Sequence, residues 1–269
     1  MVTLSIVLVA VLLFNTAHSD PYEKVLYFPR TSKTDYVLLK PDFSQVRDKI
    51  SVCAWVKKSG HNTAHEHWFS YATSSQKWEF TLAGYLENVQ IFGGGYSNSN
   101  NLSTSLHSWH HCCATWSYTS QTFKTYLNGE LEQAYRPSAS RYLGTGGTLV
   151  IGQEQDSVGG SYDLAESFAG HLYQLNVFNK ELTSDEVDSM FKNGRCSYLD
   201  HSLQDDVVIS WGDILEGWKA GSVSIVDTGC EKWNWNWDAL WELEELGYYL
   251  GPEATEKLVE HLKKNRPLY

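Results

Sequence analysis

The stretch "HHCCATWSYTSQTFKTYLNGELEQAY" (110–135) decides the fold class. Two runs, "HHCCATW" (110–116) and "TFKTYL" (122–127), lead to Asn128-Gly129. A strand-like segment, "ELEQAY" (130–135), follows. Asn-Gly between two strand-forming halves is the strongest short hairpin signal, because the turn needs positive φ at both central positions. The pattern recurs on either side. "KVLYF" (24–28), "DYVLL" (35–39), "ISVCAWV" (50–56), "GTLVIGQ" (147–153) and "GHLYQLNVF" (170–178) are short apolar runs bounded by polar turns. Many short strands with turns between them predict an all-β, two-sheet antiparallel sandwich.

One helix interrupts the strands. In "LTSDEVDSMFKNG" (182–194), Thr183 precedes Glu186 by three residues, a capping box. Val187, Met190 and Phe191 fall on one face, and Asn193-Gly194 supplies the stop. The reading is a single helix laid on a sheet.

The chain has 269 residues, 42% hydrophobic and 14% aromatic, enough to bury a full core as one or two domains. A formal net charge of −11 argues against nucleic acid as a partner, which would demand a basic patch. Residues 1–19 read as a signal peptide: "SIVLVAVLLF" (5–14) is too short to span a bilayer, and "AHS" (17–19) places small residues at a cleavage position after Ser19. The leader carries no Lys or Arg, so an uncleaved anchor is the competing reading. No other stretch is apolar enough to insert into a membrane. Secretion makes five cysteines (Cys53, Cys112, Cys113, Cys196 and Cys230) candidates for bridges, with one thiol left over. Asn101 opens a glycosylation sequon with Ser103, inside the polar segment "GGGYSNSNN" (93–101).

Negative charge collects at one place. "GQEQDSVGG" (152–160) follows the apolar run "TLVI" (148–151) and carries Glu154 and Asp156. On a strand, residues two apart share a side at about 6–7 Å. Two carboxylates at that spacing repel by roughly 2–3 kcal/mol at an effective dielectric of about 20. Asp163 and Glu166 follow closely, and Gly159 and Gly160 allow the chain to fold back. Four carboxylates in one region, hard oxygen donors without a nearby His or Cys, suit Ca²⁺. Four solvated acids on a surface loop are the alternative.

At these residues the sequence resembles the pentraxin family. "HHCCATW" resembles its signature, with His111, Cys113, Thr115 and Trp116 in place and Tyr118 standing where Ser or Thr is usual. "IGQEQDSVGG" (151–160) resembles the family's calcium loop, and "FSYATSSQ" (69–76) and "SWGDILEGWKAGSVSIV" (210–226) resemble further stretches, so the similarity covers about 24–227. The resemblance implies a jelly roll with one long helix, a disulfide between Cys53 and Cys113, and calcium held by Glu154, Gln155 through its main-chain carbonyl, Asp156, Asp163 and Glu166. It also implies a secreted pattern-recognition protein, lectin-like and non-catalytic. Such a protein assembles as a cyclic homo-oligomer and binds carbohydrate or phosphate-bearing ligands on microbial or damaged-cell surfaces. The domain reading is a signal peptide over 1–19, a pentraxin domain over 20–227 and an extension over 228–269.

The departures are specific. Where the family supplies an Asp-Asn pair to one of two ions, this chain has Lys77 and Trp78, so one calcium rather than two is expected. Glu79 is predicted to point away from Trp78's face. Ala83 falls where an aromatic residue lines the family's choline pocket, and 91–101 has no acid to hold a quaternary amine. Trp78 and Tyr96 are the candidates for stacking on sugar. "HNTAHEH" (61–67) reads as a polar loop, with a zinc site through His61, His65 and His67 as the alternative. His111 reads as structural, and Cys112 as a buried thiol or a link between subunits. Cys196 and Cys230 pair most simply with each other. In the extension, "WNWNWDALWELEELGYYL" (233–250) and "EATEKLVEHLKKN" (253–265) read as a helical hairpin broken at Gly251-Pro252. Jelly-roll glycosidases also pair carboxylates on one strand, but Ser157-Val158-Gly159-Gly160 ends the alternation and no nucleophile elbow occurs. A non-catalytic scaffold is the remaining alternative.

Overall fold

A computed structural model describes residues 21–59, 65–85, 88–93, 96–98, 106–136 and 141–230. Residues 1–19, read from the sequence as a signal peptide, His61, Asn101 and residues 231–269 lie outside the described residues, as does the side chain of Tyr96. The chain divides after Gly229 into two compact units, and the first of them contains both sheets.

Among the described residues, fifteen strands form two antiparallel sheets. The first sheet runs β10 (Glu130–Tyr135), β9 (Thr122–Leu127), β8 (His110–Ser117), β3 (Lys49–Lys58), β12 (Gly170–Phe178), β1 (Lys24–Phe28), β15 (Ser224–Asp227), with β13 (Val207–Ile209) also on β12. The second runs β14 (Trp218–Ala220), β2 (Tyr36–Leu39), β11 (Thr148–Ile151), β4 (His65–Thr73), β5 (Gln76–Tyr85), β6 (Asn88–Gly93), β7 (Tyr96–Asn98). The core lies between them: Leu26, Phe28, Ile50, Val52, Ala54 and Leu172 from one sheet meet Val37, Phe69, Tyr71, Phe80, Leu149 and Ile151 from the other. This is the predicted jelly-roll sandwich.

The predicted hairpin joins β9 to β10, with Leu127 opposite Glu130. Asn128 at φ +50° and Gly129 at φ +86° both occupy the left-handed region, the requirement that made Asn-Gly readable. A Cβ on Gly129 would lie 3.0 Å from Asp188 and Phe191, so the turn is seated under the helix. That helix, α1 (Ser184–Asn193), begins at Thr183 with the capping box complete and buries Val187.

Two expectations are corrected. The helix is not alone: α2 (His201–Gln204) and α3 (Trp211–Glu216) follow, each too short to show periodicity in the sequence. Residues 65–67 are not a polar loop. His65 and His67 begin β4, where His67 is buried and pairs with Ala83 of β5. Burial pushes the His67 imidazole down to about 3, with the nearby His65 acting in the same direction, so it is neutral under ordinary conditions.

Candidate metal centre

The site grows from the end of β11. Gly152 stands at φ +92°, and a Cβ there would fall 2.3 Å from the ring of Phe28. Only glycine fits, and the chain turns out of the sheet at once. Glu154 and Asp156 therefore lie in a loop beyond the strand, which corrects the expectation of two acids alternating along β11.

The loop is braced by its two glutamines. Gln153 Nε2 donates to the carbonyls of Ser32 (2.5 Å) and Asp35 (2.8 Å). Gln155 Nε2 donates to the carbonyls of Ser70 (2.6 Å) and Thr148 (3.0 Å), and its Oε1 accepts from the Gly159 amide at 2.7 Å. Ser157 and Gly160 exchange backbone hydrogen bonds at 3.2 and 2.9 Å, and the amide of Phe168 closes the base on the Gly152 carbonyl at 3.0 Å. With both glutamine side chains turned into the protein, the two acids between and beside them are the groups left for the ion.

The carboxylates of Glu154, Asp156 and Glu166 each place an oxygen so that all three lie within 4.8 Å of one another. Asp163 does not join them. Its Oδ1 accepts from the Ala165 amide at 3.2 Å, capping the 3-10 turn Leu164–Glu166 that carries Glu166. Glu154 is 1% exposed, and no donor reaches its buried Oε2. Burial first, then Glu166 and Asp156, push the Glu154 carboxyl up to about 7, against a lowering hydrogen bond from Trp78. Glu166 is raised for the same leading reason, with Asp156 and Asp163 adding to it. A buried, orphaned carboxylate oxygen among three acids is a donor set that fits a hard divalent cation.

From the start of β5, two side chains reach into the cluster. The Lys77 ammonium donates to Asp156 Oδ1, and the Trp78 indole N–H donates to Glu154 Oε1. The same ammonium lies 4.2 Å from the centre of the Trp78 ring. Trp78 thus has its N–H committed to the acid loop and its ring in contact with a cation, which leaves it less free for sugar stacking. Glu79 points the other way, buried and bidentate with Arg141 at 2.9 and 2.7 Å. This pair of contacts from 77–78 was legible in the sequence only as missing ligands.

Away from the acids, Ala83 is fully buried on β5. Cys53 is bonded to Cys113 across the β3–β8 pair. Cys196 and Cys230 are each disulfide-bonded, and Cys112 is a buried free thiol whose pKa burial pushes up to about 12. His111, 3% exposed, lies against the bridge, 3.7 Å from Cys113 Sγ, and stacks near Phe191.

The architecture is a two-sheet antiparallel jelly roll with a braced acidic loop at the end of one strand. Residues 24–216 match the profile of the Pentaxin family, and the chain belongs to that family. It is 26% identical to C-reactive protein of Cavia porcellus over 180 residues, 66% of this chain and 80% of that protein. It is 29% identical to jeltraxin of Lepidobatrachus laevis over 183 residues, 63% of this chain and 75% of that protein. A heptameric SAP-like pentraxin from Limulus polyphemus superposes with a TM-score of 0.62 at 25% identity, covering 77% of this chain and 95% of that one. The family is one of pattern-recognition proteins of innate immunity, generally non-enzymatic. Among the described residues no helix is long and apolar enough to cross a membrane.

Proposed function

We propose that this chain is a secreted, calcium-dependent recognition protein that captures carbohydrate or phosphate-bearing groups through an ion held by Glu154, Asp156 and Glu166. The observation that carries the reading is the convergence of three carboxylates within 4.8 Å, one of them buried with an oxygen no donor reaches. Asp163 sits next to the turn bearing Glu166 and supplies further negative charge to it. The Gln155 carbonyl adds a neutral donor from the braced loop. Calcium needs six to eight oxygens, so three carboxylates and one carbonyl leave positions for an incoming hydroxyl or phosphate. One ion is bound rather than two, because Lys77 and Trp78 stand where the resemblance places an Asp-Asn pair for a second ion, and Lys77 brings a positive charge instead.

The chain assembles as a cyclic homo-oligomer, by analogy with the heptameric Limulus protein. Repeated weak sites on a ring raise retention on a dense surface through effective concentration. The test is calorimetry with Ca²⁺, followed by retention on phosphocholine and glycan arrays with calcium and with a chelator. One ion per subunit, lost in Glu154→Gln/Asp156→Asn, with chelator-sensitive retention, is the expected result. No calcium uptake at millimolar levels, or retention unaffected by the double substitution, overturns the reading.

A second reading is favoured by the contacts of Lys77 and Trp78. If the ammonium and the indole satisfy Asp156 and Glu154 permanently, the domain is a calcium-insensitive scaffold. Its oligomers would then survive a chelator and no array feature would be retained.

A further inference from the structure

Lys77 and Trp78 reach the acid loop together because the sheet is irregular beside it. Thr73 of β4 pairs with Gln76 of β5, and Tyr71 pairs with Phe80. Residues 77–79 therefore stand opposite Ala72 alone, two more than regular pairing allows. Bulges re-aim side chains and recur beside functional sites. Ala72 in turn pairs with Thr148 of β11, the strand from which the acid loop departs. Immediately after Trp78, Glu79 is buried, takes Arg141 through both oxygens and accepts from the Gly144 amide. That anchor fixes the backbone of β5, so the direction in which Trp78 leaves it is set.

The two contacts from this bulge differ in kind. The Lys77 ammonium donates to Asp156 Oδ1, and its field reaches Glu154 and Glu166 as well. It cancels negative charge that a divalent cation would otherwise use. The Trp78 indole N–H donates to Glu154 Oε1 and is neutral, so the carboxylate keeps its charge. An ionised carboxylate has about four lone-pair sites on two oxygens. One donor on Oε1 therefore leaves Oε2, the buried oxygen that no donor reaches, to act as a ligand.

Carboxylates that ligate a metal are themselves hydrogen-bonded, and the partner that holds them typically accounts for 10–100-fold in affinity. Among the described residues, the indole N–H is the donor that Glu154 receives. The other two acids are held differently. Asp156 meets only the ammonium, and Glu166 is presented by the turn that Asp163 caps. Glu154 is thus the ligand whose orientation depends on a side chain from another strand.

We propose that Trp78 is a positioning residue of the metal centre: its indole N–H holds Glu154 through Oε1 and leaves Oε2 to ligate calcium, while Lys77 beside it competes with the ion. This role presupposes the calcium reading above, and it gives opposite signs to two side chains that the scaffold reading treats as one plug. The test is calorimetry on the full chain with Ca²⁺ alone as the probe, paired with heteronuclear NMR of the tryptophan indole N–H groups through the same titration. Trp78→Phe keeps an aromatic ring and loses the donor, and should weaken calcium binding about tenfold. Lys77→Met should tighten it. The Trp78 indole resonance, identified by its absence in Trp78→Phe, should keep a downfield, hydrogen-bonded position in the calcium-saturated protein, which a ring that merely packs would not show. Trp78 is 39% exposed and lies outside both apolar clusters, so Trp78→Phe spares the fold, and an unchanged urea midpoint checks this. Equal or tighter calcium binding in Trp78→Phe overturns the proposal. So does an indole resonance that moves upfield on saturation, which would make the indole a plug that the ion displaces. No calcium uptake by the wild type rejects the ion reading and this role with it, whereas wild-type uptake that Trp78→Phe leaves intact rejects this role alone.

Discussion

Lys77 faces the acid loop, and its effect there is electrostatic. Its ammonium contacts Asp156, and that contact raises its own pKa. An incoming divalent ion must displace it from the carboxylate. Both partners are nearly half exposed, at 43% and 44%, so the pair is worth about 1 kcal/mol at most. Lys77→Asn should therefore strengthen calcium binding by about fivefold in calorimetry; unchanged affinity would mean that the ammonium leaves at no cost. The converse case is His111. Burial pushes it down to about 4 from an ordinary value of 6.5. The unfolded chain binds the proton more readily, so stability is full above about pH 6.5 and falls as pH drops toward 4. A shift of that size corresponds to about 3 kcal/mol. Urea unfolding between pH 7 and 4 should show a shallower pH dependence in His111→Gln than in wild type, whatever the substitution does to absolute stability. At this scale the site was only partly readable. Glu154, Asp156 and Glu166 meet as the clustering of charge implied. Asp163 does not, because its carboxylate is used to cap the turn that presents Glu166.

Among the elements, legibility followed how local the determining physics was. The β9–β10 turn and the N-terminus of α1 were readable because Asn-Gly and Thr-x-x-Glu encode backbone geometry within four residues. The strand β4 was not fully readable, because His65, Glu66 and His67 look like a polar loop until their sheet neighbours are known. Both faces of β4 are covered, so its sequence shows no alternation. The loop 152–168 is intermediate. Its glycines announced a bend, but the reason for Gly152 lies in Phe28, more than a hundred residues away. Gly152→Ala places a methyl 2.3 Å from that ring at φ +92°. Strain and overpacking together should cost at least about 2 kcal/mol, measured as a lowered urea midpoint with the slope unchanged. Calcium binding should weaken in the same variant, since Glu154 is only two residues on. A variant with full stability and reduced calcium affinity would show that Gly152 shapes the loop alone and is not needed for the core.

For the whole molecule, the two sheets are stitched within and between layers by different means. Between sheets the connection is apolar packing, which is spread over many side chains and tolerant of single changes. Within the first sheet, Cys53 and Cys113 add a covalent link across neighbouring strands, closing a loop of 60 residues. That loop contains all of β4, β5, β6 and β7, so the bridge restricts the unfolded chain over more than half of the second sheet. The chain entropy removed by closing such a loop corresponds to about 4 kcal/mol. The domain keeps its hydrophobic core without the bridge, so loss of the link should lower stability without abolishing the fold. Replacing both cysteines by alanine should lower the thermal midpoint by several degrees while leaving calcium stoichiometry intact, because Glu154, Asp156 and Glu166 all lie outside the loop. Lys77 and Trp78 lie inside it. If the double variant instead loses calcium binding at temperatures where it remains folded, the position of β5 against the acid loop depends on the bridge, and the metal centre is coupled to the far sheet.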